Sequence, residues 1–175
     1  ELIARAKQPI LIAGGGVHYS DACKVLAQFA TRHGLPVAET QAGKGALPWD
    51  HPLNVGAIGV TGSAAANELA AQADLVLAVG TRLQDFTTAS HTLFQNPQRR
   101  FVSINVCRHD VAKSDAVAVQ GDAARSLEEI DALLGEPRDR EDLAKHIKTL
   151  RASWHDAVDA ATKDVGAALP SDAQV

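Results

Sequence analysis

The sequence predicts a doubly wound α/β domain: a six-stranded parallel sheet in the order 3-2-1-4-5-6, covered on both faces by helices in a three-layer α/β/α stack. Strand-length runs such as Leu75-Val76-Leu77-Ala78-Val79 are almost continuously apolar rather than alternating, as befits strands buried on both faces. Segments with apolar residues three and four apart follow those runs, and this alternation builds parallel strands joined by right-handed helical crossovers. At 175 residues the chain is long enough for one well-buried core and too short for two. Together these features describe a Rossmann-like sheet.

Pro9 to Ala13 is the first strand, closed by Gly14-Gly15-Gly16. Ser20 or Asp21 is then expected to cap a helix carrying Ala22, Leu26, Phe29 and Ala30 on one face, ended by His33-Gly34. Pro36 to Glu39 is a second short strand. A crossover rich in glycine and proline leads to a minor strand over Leu53 to Gly56, and Ser63 caps an alanine-rich helix running to about Ala73. Asp74 to Val79, Phe101 to Val106 and Ala116 to Val119 complete the strands. Gly121-Asp122 opens a helix with Leu127, Ile130 and Leu133-Leu134 on one stripe. Past Gly135 a charged run, Arg138 to Asp142, precedes a long helix whose stripe is Leu143, Ile147, Leu150, Trp154 and Val158. Such a stripe must be buried somewhere, against the sheet domain or another copy.

The formal net charge of -4, with signs interspersed, leaves no basic stripe for nucleic acid, and no apolar run approaches a bilayer span. A cytoplasmic location is expected. Cys23 and Cys107 have no CxxC or Cys/His spacing, so both thiols are expected to stay reduced. The seven histidines include no HExxH and no helical pair with a third ligand, which argues against a metal site. His51, between Asp50 and Pro52, is expected to fix a turn.

In a doubly wound sheet the binding crevice lies where the first and fourth strands diverge. That places Gly14, Gly15 and Gly16 opposite Gly80, Thr81 and Arg82, with Asn105 beyond the fifth strand. Glycines let a backbone approach a diphosphate at a helix N-terminus, and a guanidinium is a suitable phosphate partner. Read as G-x-G-x-x-G from Gly14, however, the third glycine position is Tyr19. A lone motif of this kind is more often a tight turn without a ligand. Arg82 equally suits a bridge to Asp85.

The crossover reads Glu39-Thr40-Gln41-Ala42-Gly43-Lys44-Gly45-Ala46-Leu47-Pro48-Trp49-Asp50-His51-Pro52, followed by Leu53-Asn54-Val55-Gly56, Gly59-Val60-Thr61-Gly62, Ala73-Asp74-Leu75 and Val79-Gly80-Thr81-Arg82. These segments resemble the central domain of thiamine-diphosphate-dependent enzymes of the acetolactate synthase group, most closely its inositol-catabolic branch, the trihydroxycyclohexane-1,2-dione hydrolases. The resemblance implies a central domain over residues 1–135, then an interdomain linker helix and the truncated start of a C-terminal diphosphate-binding domain over 136–175. Ser171 or Asp172 would cap that last helix, and the chain contains no Met.

The resemblance further implies that thiamine diphosphate and Mg2+ are bound outside this chain, between N- and C-terminal domains that are its partners in a dimeric or tetrameric enzyme. Mg2+ across a diphosphate needs carboxylate and amide oxygens from a Gly-Asp-Gly motif and an Asn-Asn pair, whereas this chain has Gly121-Asp122-Ala123 and no Asn-Asn. No catalytic residue is therefore expected here, and the chain alone is expected to be inactive. Relatives hold FAD or ADP in the crevice or leave it empty. Asn105, standing where flavin-containing relatives place an acid ahead of Asp110, disfavours FAD. An acetolactate synthase-like transferase and a stand-alone nucleotide-binding or interaction module are the competing readings.

Overall fold

The computed structural model describes residues 1–137, 139–164, 166 and 169–174. Six parallel strands, β1 (Pro9–Ala13), β2 (Val37–Glu39), β3 (Asn54–Ala57), β4 (Leu75–Val79), β5 (Arg100–Asn105) and β6 (Val117–Gln120), form one sheet in the order β3-β2-β1-β4-β5-β6. This is the predicted order. Central pairing is continuous, with Ile12 opposite Ala38 on one side and Ala78 on the other. Asp74 does not enter β4; its carboxylate accepts the Lys7 and Gln8 N–H groups and so ties the starts of two adjacent strands.

Because strand side chains alternate between faces, the sheet divides its apolar residues between two cores. Leu11, Ala13, Leu75, Leu77 and Val79 point to one face and pack with Leu26, Phe29 and Ala30 of α3 (Cys23–His33) and Leu127 of α7 (Ala123–Leu134). Ile10, Ile12, Val76 and Ala78 point to the other. They meet Ala66, Leu69 and Ala70 of α4 (Ala64–Gln72) and Leu143 and Ile147 of α8 (Glu141–Thr162). The long amphipathic helix is thus a component of the second layer: Leu143 and Ile147 are buried, Leu150 is partly so, and Val158 stands at 36 % exposure.

Helix ends follow local chemistry. Ser63 Oγ accepts the Ala66 N–H at 3.0 Å, the Asp122 carboxylate accepts that of Arg125 at 3.1 Å, and Gly34 takes the left-handed conformation that terminates α3. The expected Ser20 or Asp21 cap does not form. A short helix, α2 (Gly15–Tyr19), occupies the turn, Ala22 takes the capping position, and the Ser20 hydroxyl instead accepts the Ala123 N–H at 3.3 Å. Three four-residue helices, α1 (Leu2–Arg5), α5 (Asp85–Thr88) and α6 (Arg108–Val111), are likewise too short to leave a periodic signal. At the predicted last helix, Gln174 Oε1 accepts the Ser171 N–H at 2.8 Å, one half of a capping box, while Val175 lies outside the described residues.

Candidate functional site

Six of the seven residues expected at the crevice, Gly15, Gly16, Gly80, Thr81, Arg82 and Asn105, line a cleft of about 370 Å³ at the C-terminal ends of β1, β4 and β5, while Gly14 packs behind it against Gly80. The glycines fit one another. A Cβ on Gly14 would lie 2.4 Å from the Gly80 carbonyl oxygen, and one on Gly16 2.6 Å from Gly80 Cα, so only glycine permits this approach of two loops. Gly80 itself has φ +62°. The Gly14 N–H donates to Val79, that of Gly16 to Gly80, and that of Val17 to Gly14. Most of the amides that would greet a diphosphate at this helix start already serve the main chain.

Around this core the side chains are also engaged. The Arg82 guanidinium donates to Gln84 Oε1 at 3.0 Å, and the alternative partner, Asp85, faces His91 at 3.7 Å instead. Thr81 Oγ1 accepts the Leu83 N–H. Asn105 bridges the two strand ends, donating through Nδ2 to the Thr81 carbonyl at 3.2 Å and accepting the Cys107 N–H at 2.9 Å. Asp110 is the acid on this wall; the hydrogen bond from Lys113 holds its carboxyl below the ordinary carboxylate value, against the opposing effect of burial. Tyr19, Phe86 and Val106 form an exposed apolar rim.

The crossover borders a second cleft, of about 440 Å³, between the edge strand β3 and α8, lined by Glu39, Lys44, Trp49, Arg151 and Trp154 among others. His51 fixes the turn as expected: its Nδ1 accepts the Leu53 N–H at 3.2 Å, leaving Nε2–H for Thr31 Oγ1 at 3.2 Å. Asn54 donates to the Leu47 carbonyl, and Glu39 Oε1 accepts the Leu47 N–H at 3.0 Å. Glu39 has no counterpart among the predicted site residues. Its signal in the sequence is an acid that ends an apolar strand, and its residue is only 7 % exposed.

Cys23 has a histidine partner that sequence spacing did not reveal. The fold of α2 back onto α3 brings His18 Nδ1 to 3.5 Å from Cys23 Sγ. Burial, reinforced by Asp21, pushes the Cys23 thiol above its ordinary value, which suits an inert thiol rather than a nucleophile. Among the described residues no three His, Cys, Asp or Glu side chains gather as metal ligands, and no helix is long and apolar enough to cross a membrane. Asp122, the acid of the Gly-Asp-Ala segment, caps α7. The donor set present does not fit a Mg2+–diphosphate group.

Residues 1–130 match the family model for the thiamine pyrophosphate enzyme central domain. The chain is 50 % identical over 134 residues to a 3D-(3,5/4)-trihydroxycyclohexane-1,2-dione hydrolase of Clostridium perfringens, covering 77 % of this chain and 21 % of the relative. It is 45 % identical over 154 residues to that of Clostridium tetani, covering 88 % and 24 %. A Bacillus cereus protein named 3D-(3,5/4)-trihydroxycyclohexane-1,2-dione hydrolase 2 is 51 % identical over 127 residues, covering 73 % and 20 %. The chain therefore spans between a fifth and a quarter of the length of these relatives.

Proposed function

This chain belongs to the thiamine pyrophosphate enzymes as their central domain, and on that premise we propose that it is the scaffold of a hydrolase that opens a trihydroxycyclohexane-1,2-dione ring by C–C bond hydrolysis in inositol breakdown. The observation that carries the proposal is the identity of about half over most of the chain with hydrolases so named. An acetolactate synthase-like transferase is the second reading, and the crossover's Gln41-Ala42-Gly43-Lys44-Gly45 with Trp49 favours the hydrolase.

Thiamine diphosphate, when bound, supplies stabilisation of a carbanion at a carbonyl carbon. In the proposed division of labour its diphosphate and Mg2+ are held by N- and C-terminal domains outside these residues, in a cytoplasmic dimer or tetramer, with residues 136–175 leading into the C-terminal domain. This chain's own groups hold positions: the Gly14–Gly16 and Gly80 loops lock together, Asn105 ties β4 to β5, and Asp122 and Ser63 fix helix starts. The crevice is a vestigial nucleotide place at Gly14, Gly15, Gly16, Gly80, Thr81, Arg82 and Asn105, suited to weak ADP binding rather than FAD. Its consumed amides and its single guanidinium support that reading.

Expressing the complete gene and assaying both reactions tests the proposal. Ring opening of the trihydroxycyclohexanedione, dependent on thiamine diphosphate and without acetolactate formation from pyruvate, is the expected result; acetolactate formation without ring opening would reverse the assignment.

A further inference from the structure

Four large apolar side chains stand exposed around the mouth of the crevice, each in the segment that follows the carboxyl end of a different strand. Tyr19, at 94 % exposure, follows β1; Val60, at 59 %, follows β3; Phe86 follows β4 within α5; and Val106, at 67 %, follows β5. Tyr19, Phe86 and Val106 line the crevice itself, and the Val60 N–H donates to the Phe86 carbonyl at 3.0 Å, which sets the fourth beside them. The loops are pinned: a Cβ on Gly59 would collide with the Phe86 carbonyl, and Gly80 is locked against Gly16. The fold itself therefore holds these side chains out. Among the described residues lining the crevice only Arg82 and Asp110 are charged, and Lys113 neutralises Asp110. Exposed apolar groups clustered around a nearly uncharged depression mark a protein contact.

Two features of the chain identify what covers it. α8 runs antiparallel to α4: Leu143 and His146 share a cleft with Gln72 at the end of α4, and Ser153 and Ala157 share one with Ala64 at its start. Because α4 starts just past the carboxyl end of β3, α8 delivers the residues that follow it to the edge of the sheet where the rim lies. The chain also spans only between a fifth and a quarter of the length of its relatives. A second copy fits the rim less well: a stable dimer takes about 800 Å² from each partner, roughly 20–30 residues a side, and the rim offers four large apolar groups. Within one polypeptide the effective concentration reaches the millimolar range, where so small a patch suffices.

We propose that the rim of Tyr19, Val60, Phe86 and Val106 is the docking surface for the domain that follows α8 in the same polypeptide, which meets it with an uncharged apolar face. The docking surface presupposes that the chain is the central part of a longer enzyme, but not which reaction that enzyme performs.

Placing a photo-crosslinker at the rim of the complete gene product, as Tyr19→p-benzoylphenylalanine, tests the proposal. Irradiation should join position 19 to a peptide beyond residue 175 within one molecule, so that the product keeps the mass of a single chain on a denaturing gel. A linked peptide from within or ahead of residues 1–175, or a product of twice the mass, would overturn the proposal. Hydroxyl-radical labelling of the unaltered proteins gives a second readout. Tyr19 and Phe86 should be modified in this chain alone and lose most of that modification in the complete protein; equal labelling in both would overturn the proposal. Neither readout depends on catalysis. Protection and cross-linking without ring opening uphold the docking surface and sink only the proposed reaction, and ring opening without them does the reverse.

Discussion

Replacing Arg140 with alanine should loosen the second helical layer and the N-terminus together. The Arg140 guanidinium, at the start of α8, donates from Nε to the His33 carbonyl at 2.9 Å, from Nη2 to that of Ile3 at 2.8 Å and from Nη1 to that of Ala6. These carbonyls sit at the C-terminal ends of α3 and α1, where a cation also meets the negative ends of two helix dipoles. The site is half-buried, so the freed carbonyls recover some water, and about 1 kcal/mol for each lost bond is a suitable value, or about 3 kcal/mol in all. For a domain of this size 1 kcal/mol moves the melting temperature by about 2–4 °C, so Arg140→Ala should melt about 6–12 °C lower by calorimetry. Arg140→Lys keeps the charge but cannot span three carbonyls and should fall in between. Amide exchange of Arg5 and Ala6, whose N–H groups close α1, should accelerate in both variants. A melting temperature within about 2 °C of the unaltered protein for Arg140→Ala would refute the clasp.

Gly16→Ala should cost about 2–3 kcal/mol in denaturant unfolding, because its Cβ would meet the Gly80 backbone at 2.6 Å and neither loop can yield; an unchanged midpoint would show that the loops are not interlocked. Burial works to raise the Asp131 carboxyl, but hydrogen bonds from His33 at 2.6 Å and Arg32 at 2.8 Å outweigh it and hold the group below the ordinary value of about 4. A depressed folded value means stabilisation that is complete above that ordinary value and is lost as pH falls through the folded one. Asp131→Asn should therefore melt lower at neutral pH and lose less on acidification, and a melting difference that persists unchanged into strong acid would contradict this. Arg82→Ala should abolish whatever ADP binding calorimetry detects while leaving the melting temperature nearly unmoved, since its visible protein bond is an exposed one to Gln84. Undiminished ADP binding in that variant, or protein that purifies yellow with flavin, would count against the crevice as a vestigial, non-flavin site.

The sheet was legible in the sequence because its signal is redundant. Leu75 to Val79 is apolar at every position, each strand is followed by a helix-length segment, and the handedness of crossovers leaves few orders to choose from. Ser63 and Asp122 were legible as caps because their chemistry acts within three residues. Ser20 and Asp21 misled because the same residue types can instead stand in a tight α2–α3 corner, where Asp21 takes φ 52° and Ser20 bonds to a residue 103 positions away. The place of the crevice followed from topology alone, but the fate of its amides was not visible, since it depends on how closely the Gly16 and Gly80 loops approach. The burial of Glu39 was not visible for the same reason: it follows from the crossover folding over it and from α8 arriving more than 100 residues later in the chain.

The proposed scaffold role leaves the thiamine site outside these residues, and calorimetric titration of the chain with thiamine diphosphate in the presence of Mg2+ puts that placement to the test. Hard-cation binding across a diphosphate requires several converging carboxylate and amide oxygens, and Asp122 is committed to capping α7. No heat of binding beyond dilution is expected, with or without Mg2+. A Mg2+-dependent isotherm in the low-micromolar range would contradict it and return the diphosphate site to these residues.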